Sequence, residues 1–268
     1  MVSIILVNFN GARFVEKCLQ SIYDRTRDCR FEVIVVDNAS TDGSREIIQD
    51  QFPLAKLVWN RENVGFSKGN NLGAQSAGGS KLLFLNTDAV LVNDMVSILA
   101  RFLDDRSDTA VVGPKLMFED NSYQLSAGRL PNVLVELVDK IWYQLDRKLH
   151  GFIAPLNNAL FSTARAVGWV TGACMMVRRD VFEQINGFDE NIFMYYEDKD
   201  LCKRVGDVGW KVVLYPEARV VHLLGGSVTS FDEMNKIYRE SQLYYYHKHL
   251  NPFQLSLVEM YLKISGKT

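Results

Sequence analysis

The sequence predicts an α/β chain: a mostly parallel sheet flanked by helices, with a helical tail at its C-terminal end. Three observations carry that expectation. Short apolar runs rich in branched residues recur through the first half, as strands buried on both faces require. Between them, apolar positions return at helical spacing. Strands alternating with helices at this pitch form a parallel sheet with helices on both faces.

The elements follow in order. Residues 2–7, 31–36, 55–59 and 82–85 are the four strand runs. Phe14, Cys18, Ser21 and Ile22 place a helix after the first run, Ile47 with Gln51 a second, and Ile98 with Phe102 a third. Beyond these the pattern loosens. Residues 118–129 are polar and turn-rich, 133–149 suit an amphipathic helix, and 151–166 read as a long loop. Strand character returns at 167–177, and again at 211–215 with 219–223. From Asp232 the chain reads as helical, with a break at Asn251-Pro252. No repeat or low-complexity linker divides it, so 1–230 is expected to form one catalytic domain and 231–268 a helical extension.

Composition narrows the function. The 268 residues are 47% hydrophobic and 23% charged, which supports a sizeable core. Thirty Lys and Arg oppose 32 Asp and Glu, a net charge of −2, without the basic excess that nucleic-acid binding needs. Cys18, Cys29, Cys174 and Cys202 are scattered, with neither a CxxC pair nor a zinc spacing, which argues for a reducing compartment. No charged leader with a cleavage site precedes the first strand run. No apolar run approaches the ~18 residues that span a bilayer. A cytoplasmic protein is the expectation.

In open parallel sheets, ligands bind beyond the carboxyl ends of the strands. Those ends are polar here: Asn8-Phe9-Asn10-Gly11, then Asp37-Asn38-Ala39-Ser40-Thr41-Asp42, then Asn86-Thr87-Asp88. A carboxylate at Asp37 or Asp88 is well placed to hold a divalent cation against a diphosphate. Each also has an ordinary alternative, Asp88 as a helix N-cap and Asp37 as the head of an Asx turn. Residues 63–71, Asn-Val-Gly-Phe-Ser-Lys-Gly-Asn-Asn, lead into a helix. Glycine there allows close backbone approach and helix amides favour phosphate, although a plain strand-to-helix loop has the same composition.

Further along, Leu201, Val205 and Val208 mark the buried face of a helix that opens near Tyr196. Glu197 lies one turn before Leu201 with Asp198 beside it, so both acids lean inward. Acids in a first turn also complement the macrodipole. Asp200 is in i,i+4 register with Arg204, the spacing of an ordinary ion pair. His222 ends a strand run ahead of Gly225-Gly226, where a neutral imidazole can ligate a metal or serve the fold. His150, His247 and His249 show no partner pattern.

Taken in order, several segments resemble the family-2 inverting glycosyltransferases of the GT-A fold, especially bacterial rhamnosyltransferase-like members. They are Val7-Asn8-Phe9-Asn10, Val36-Asp37-Asn38-Ala39-Ser40-Thr41-Asp42-Gly43, the 63–71 stretch, Leu85-Asn86-Thr87-Asp88, Gly172-Ala173-Cys174-Met175-Met176-Val177-Arg178, Gly187-Phe188-Asp189-Glu190 and Tyr196-Glu197-Asp198-Lys199-Asp200-Leu201. The resemblance implies a GT-A, Rossmann-like sheet. It implies a nucleoside-diphosphate-sugar donor, dTDP-rhamnose favoured, and a single displacement onto a saccharide or polyprenyl-linked acceptor in cell-surface polysaccharide synthesis. By the same resemblance Phe9 and Asp37 contact the base, and Asn10, Asn63, Gly65, Asn70, Asn86 and Thr87 belong to the nucleotide-sugar site. Asp88 becomes the metal-binding acid and His222 completes a site for Mg²⁺ or Mn²⁺. Asp198 becomes the general base, with Glu197 beside it. Asn86 stands where the family's strand-end motif carries a first acid, and its neutral amide binds a divalent ion less strongly.

Two rivals define the tests. A nucleotidyltransferase also binds a nucleotide on an α/β sheet, but would carry a glycine- and cation-rich loop that Asn8–Arg13 lacks. A non-catalytic nucleotide-sugar sensor would not need Asp198. In the tail, Phe253, Leu257, Met260 or Tyr261 and Ile264 recur at helical spacing after Tyr244-Tyr245-Tyr246. Such a stripe packs on the catalytic domain or a second copy in a homodimer, or lies on a membrane surface beside interfacial aromatics. Five Lys and Arg against four Asp and Glu over 231–268 leave the tail without a polybasic anchor. Lipid-linked acceptors, which the resemblance brings with it, point to peripheral association with the inner membrane face.

Overall fold

The structure, a computed structural model, describes residues 1–132, 161–223 and 231–264, together with positions 135, 138 and 159. In chain order the elements are β1 (Val2–Asn8), α1 (Ala12–Arg25), β2 (Phe31–Asp37), α2 (Ser44–Gln51), β3 (Lys56–Trp59), α3 (Gly65–Gln75) and β4 (Lys81–Leu85). Then follow β5 (Ala89–Leu91), α4 (Met95–Asp105), β6 (Thr109–Met117), β7 (Ala127–Gly128), β8 (Arg165–Val167), β9 (Trp169–Val170) and β10 (Cys174–Arg178). The last are α5 (Arg179–Gln184), α6 (Glu197–Asp207), β11 (Lys211–His222), α7 (Phe231–His249) and α8 (Pro252–Ile264).

The main sheet has the order β3-β2-β1-β4-β10-β6-β11-β5, with β8 also paired to β11. Strands β1 to β4 pair in parallel, and β10 runs antiparallel to both β4 and β6. Because β6 and β11 are parallel, β1, β2, β3, β4, β6 and β11 share one direction, and only β5, β8 and β10 oppose it. The sheet is therefore mostly parallel. Side chains alternate across β1: Ile4 and Leu6 join Val15 and Leu19 of α1 on one face, while Ile5 joins Ile34 and Phe84 on the other. Helix α3 lies close on β1, because a Cβ on Gly73 would sit 2.4 Å from Ile5 Cγ2 and one on Gly69 3.0 Å from Val7 Cγ1.

The four N-terminal strand runs fall where the apolar pattern puts them, within a residue or so. Several other readings change. The nine-residue β6 carries no clear signal, because Gly113-Pro114 interrupts its apolar run. The expected strand 167–177 is three short strands interrupted at Thr171-Gly172-Ala173, and β8 takes the end of the expected 151–166 loop. Irregular pairing between Tyr215 and Arg219 joins the two late runs into β11. The expected helix at 133–149, most of the 151–166 loop and the Gly225-Gly226 pair lie outside the described residues. On the helices Ile47, Ile98 and Phe102 pack partly buried against the core, while Ile48, Leu99 and Leu103 are the fully buried positions and Gln51 is exposed. Val208, expected in the core, sits past the end of α6 and is 42% exposed.

The tail packs on the rest of the chain. Tyr245, Tyr246, Val258 and Leu262 close over Tyr196 in one buried cluster. Tyr245 and Tyr246 are thus core residues, not the interfacial aromatics that the spacing suggests. Helix α8 presents Phe253 and Met260 outward, 74% and 54% exposed. The side chains of Tyr261 and Ile264 lie outside the description.

Candidate active site

The carboxyl ends of β1, β2 and β4 meet at one edge of the sheet. Asn8 Nδ2, at the end of β1, lies 2.7 Å from Asp37 Oδ2 at the end of β2, and near the Ser40 and Ser44 hydroxyls. Asp37 Oδ1 accepts from Ser40 N at 3.0 Å and from Arg45 Nε at 2.5 Å. The Asx turn is therefore present, and an ion pair is added to it. Asp37 has no exposed surface, and its oxygens serve internal partners. Asn10, at φ 53°, donates its N–H to Ser40 Oγ and accepts from Thr41 N, which fastens the two strand-end loops together.

Asn38 ties in the third loop, its Nδ2 donating to Asn63 Oδ1 and to Gly65 O, both at 3.1 Å. Gly65 is required twice. Its φ is 83°, and a Cβ there would sit 2.7 Å from Phe193 O. Phe66 N donates to that same carbonyl at 2.7 Å. Together these contacts shape a cleft of about 230 Å³ between Val7, Phe9, Asn38, Asn63, Gly65 and Phe66 on one side and Phe193, Met194, Glu233 and Ile237 on the other. Phe9, Asn63 and Gly65 thus line the cleft, whereas Asp37 and Asn10 are not among its lining residues. Asn70 is buried within α3 and donates to Phe66 O.

Asn86, Thr87 and Asp88 occupy the tight turn from β4 into β5. Asp88 is followed by a strand, so it is not a helix N-cap; Asp94 caps α4 instead. Thr87 is buried in this turn. His222, at the end of β11, places Nε2 3.1 Å from Asp88 Oδ1 and 3.3 Å from Asn86 Nδ2. Its Nδ1 lies 3.1 Å from Gln124 Oε1, a buried acceptor. With Nδ1–H donating to Gln124, Nε2 accepts from the Asn86 amide and lies beside the Asp88 carboxylate. An imidazole nitrogen and a carboxylate oxygen side by side are donor types that a divalent cation takes, so the pair fits Mg²⁺ or Mn²⁺. Among the described residues no group of three or more His, Cys, Asp and Glu could hold a metal ion. The remaining coordination positions would fall to phosphate oxygens and water.

Glu197 and Asp198 open α6, preceded by Tyr195 and Tyr196 in the left-handed region at φ 68° and 64°. Both acids lean inward, 6% and 7% exposed. Asp198 Oδ2 accepts from Gly172 N at 3.1 Å, and Oδ1 from Lys199 N at 2.7 Å. The next residue in that loop, Ala173, accepts at its carbonyl from Asn86 N at 2.9 Å. Two consecutive residues, Gly172 and Ala173, therefore tie Asp198 to the Asn86–Asp88 turn. Glu197 is different. Its Oε2 is buried without a hydrogen-bond partner, and burial, reinforced by the Asp198 charge, pushes its carboxyl up to about 8. Asp200 makes the expected ion pair with Arg204 at 2.8 Å, yet it is fully buried and also bonds His249 and Lys248 of α7, each at 2.7 Å. His249 thus has a partner that no local pattern shows.

Residues 3–185 match the family model described as glycosyl transferase family 2, and 161–224 match one described as N-terminal domain of galactosyltransferase. An N-acetylglucosaminyl-diphospho-decaprenol L-rhamnosyltransferase of Mycobacterium tuberculosis is 29% identical over 231 residues, 82% of this chain and 75% of the relative. Rhamnosyltransferase WbbL of Escherichia coli K12 is 26% identical over 233 residues, 83% of each chain. The mannosyltransferase PcManGT of Pyrobaculum calidifontis, solved with GDP-Man and Mn²⁺, superposes with a TM-score of 0.65 at 17% identity, over 99% of this chain and 74% of that one. That likeness shows the fold, a GT-A sheet.

Proposed function

The chain belongs to glycosyl transferase family 2, and from that premise we propose that it is an inverting rhamnosyltransferase. It moves rhamnose from dTDP-rhamnose to a hydroxyl of a saccharide or polyprenyl-linked saccharide during cell-surface polysaccharide synthesis. One observation carries the reading. The Thr171-Gly172-Ala173 loop joins Asp198 to the Asn86–Asp88 turn, so a buried carboxylate is tied to the turn that carries the Asp88–His222 pair.

A sugar hydroxyl is a poor nucleophile at neutral pH, and a carboxylate that takes its proton as the bond forms assists attack. Asp198 suits that task, since two backbone N–H groups fix its orientation. Burial and the neighbouring Asp198 charge raise the Glu197 carboxyl, which disfavours a second negative charge beside Asp198. Inversion by single displacement needs no enzyme nucleophile. Asp88 and His222 would hold Mg²⁺ or Mn²⁺, assisted by Asn86, with Gln124 orienting the imidazole. Such an ion supplies charge neutralisation for the departing nucleoside diphosphate. Phe9, Asn63 and Gly65 present the cleft in which the nucleotide lies.

Among the described residues no helix is long and apolar enough to cross a membrane. We place the protein in the cytoplasm, on the inner membrane face, held peripherally through Phe253 and Met260; a second copy is the competing occupant of that face. The deciding experiment incubates purified protein with a panel of sugar nucleotides and a lipid-linked saccharide acceptor. Nucleoside diphosphate release should be fastest with dTDP-rhamnose, and NMR of the product should show the inverted anomeric configuration. Release from another sugar nucleotide alone would reassign the donor, and release from none would overturn the transferase reading.

A further inference from the structure

The turn that aims Asp198 is built from two bulky residues, Tyr195 and Tyr196, both left-handed. L side chains hold that conformation only where the surroundings over-determine it. Those surroundings come from α7. Ser241 Oγ donates to Met194 O at 2.7 Å, just before the turn. Within it, Gln242 Nε2 donates to Tyr196 OH at 2.8 Å, and the Tyr196 ring packs edge-on against Tyr238 and tilted against Tyr245. One helical turn later, Lys248 and His249 bond Asp200. Gln242 is 4% exposed, Arg239 bonds its Oε1, and its Nε2 also reaches Tyr246 OH at 3.2 Å, so its amide is fixed from both ends. The same helix supplies Ile237 to the cleft wall.

We propose that α7 is a working part of the active site, and that Gln242 is a positioning residue which acts through Tyr196 to hold Asp198 at the acceptor hydroxyl. The inference rests on Asp198 being the base. Loss of the brace leaves the nucleotide cleft in place but lets the carboxylate drift, and a misplacement of about 1 Å costs on the order of 10²-fold in rate.

The test uses the full chain and four variants: Gln242→Leu, Gln242→Glu, Asp198→Asn and the double Asp198→Asn with Gln242→Leu. In Gln242→Leu, kcat should fall about 10- to 100-fold while KM for the sugar nucleotide stays within about two-fold. Gln242→Glu keeps the side chain's length and can accept from the Tyr196 hydroxyl, so it should recover most of the lost kcat. On the Asp198→Asn background, Gln242→Leu should cost nothing further, because the group it positions is already gone. If Gln242→Leu does not fold, Tyr196→Phe removes the same hydrogen bond and must show the same split. Unchanged kcat, an equal loss on both backgrounds, or no rescue by glutamate overturns the brace. Normal turnover in Asp198→Asn instead removes the base assignment and the brace with it. An inactive Asp198→Asn beside a fully active Gln242→Leu refutes the brace alone.

Discussion

Asp198 and Glu197 are neighbours in the chain with opposite surroundings, two backbone donors for one and an orphaned buried oxygen for the other. Replacing Asp198 by Asn keeps the shape and removes the proposed proton acceptor. Turnover should fall roughly 10²–10⁴-fold with donor affinity nearly unchanged, as single-turnover and nucleotide-binding measurements can show. Glu197 also couples stability to pH. Its folded-state carboxyl titrates about 8 against an ordinary 4.5, so between those pH values the native state keeps a proton that the unfolded chain has released. Stability is therefore full below the lower value and declines as pH rises toward the upper one. Glu197→Gln cannot release that proton. Thermal melts from about pH 5 to about pH 8 should show wild-type Tm falling relative to this variant. At the proposed metal pair, Asp88→Ala should weaken donor binding as well as rate, and EDTA should abolish transfer until Mn²⁺ or Mg²⁺ is restored. Full turnover in chelator would show that the diphosphate is neutralised by the protein alone. The strand-end acids and His222 were visible in the sequence, because strand ends of a parallel sheet are where ligands bind. Gln124 was not: it lies 98 residues from His222, in a stretch whose polar, turn-rich pattern marks no site.

Packing of α3 on β1 decides how the cleft is formed. Gly73 lets the helix approach until a Cβ would sit 2.4 Å from Ile5 Cγ2 and 3.2 Å from Val36 Cγ2, both on fully buried side chains. Gly73→Ala should lower unfolding stability by about 1–3 kcal/mol in urea, the usual cost of overpacking. A neutral result would mean that α3 slides freely on β1. The sequence showed β1, β2 and β4 clearly because their apolar side chains are buried on both faces, whereas β3, at the sheet edge, is only partly buried and leaves Lys56 and Trp59 exposed. The same sequence hid β6 for a physical reason. Gly113 is needed because a Cβ would meet Val170 at 2.7 Å, and Pro114 has no N–H to give the ladder. The sheet accommodates that proline beside the irregular stretch of β11 between Tyr215 and Arg219. A strand that depends on a partner's bulge has no local signature. The inward lean of Glu197 and Asp198 was legible from helical spacing, but the left-handed tyrosines that aim them were not, since their conformation is imposed by α7 from about fifty residues away.

Across the whole molecule the tail presents two faces, one covered and one exposed. Val258 and Leu262 of α8 bury against Tyr245 and Tyr246, which themselves cover Tyr196, so the tail is continuous with the catalytic edge. The stripe read from the sequence is the opposite face of α8, where Phe253 and Met260 remain exposed. Periodicity located an apolar face but could not say which of two the protein covers. Burying an exposed Phe or Met completely yields about 1.5–3 kcal/mol, so two such side chains support weak, reversible attachment rather than a permanent anchor. Intact protein should therefore float with neutral as well as anionic liposomes at ordinary ionic strength, and Phe253→Asp combined with Met260→Asp should leave it in the dense fraction. Truncation before Pro252 is a poorer test, because it also strips Val258 and Leu262 from the tyrosine cluster. The aspartate variant leaves that cluster intact, and its turnover on a water-soluble saccharide acceptor should match wild type while turnover on a bilayer-embedded acceptor falls. Equal flotation of both proteins, or none by either, would remove lipid as the occupant. Sedimentation would then show whether the face instead joins a second copy, which the two aspartates would drive apart.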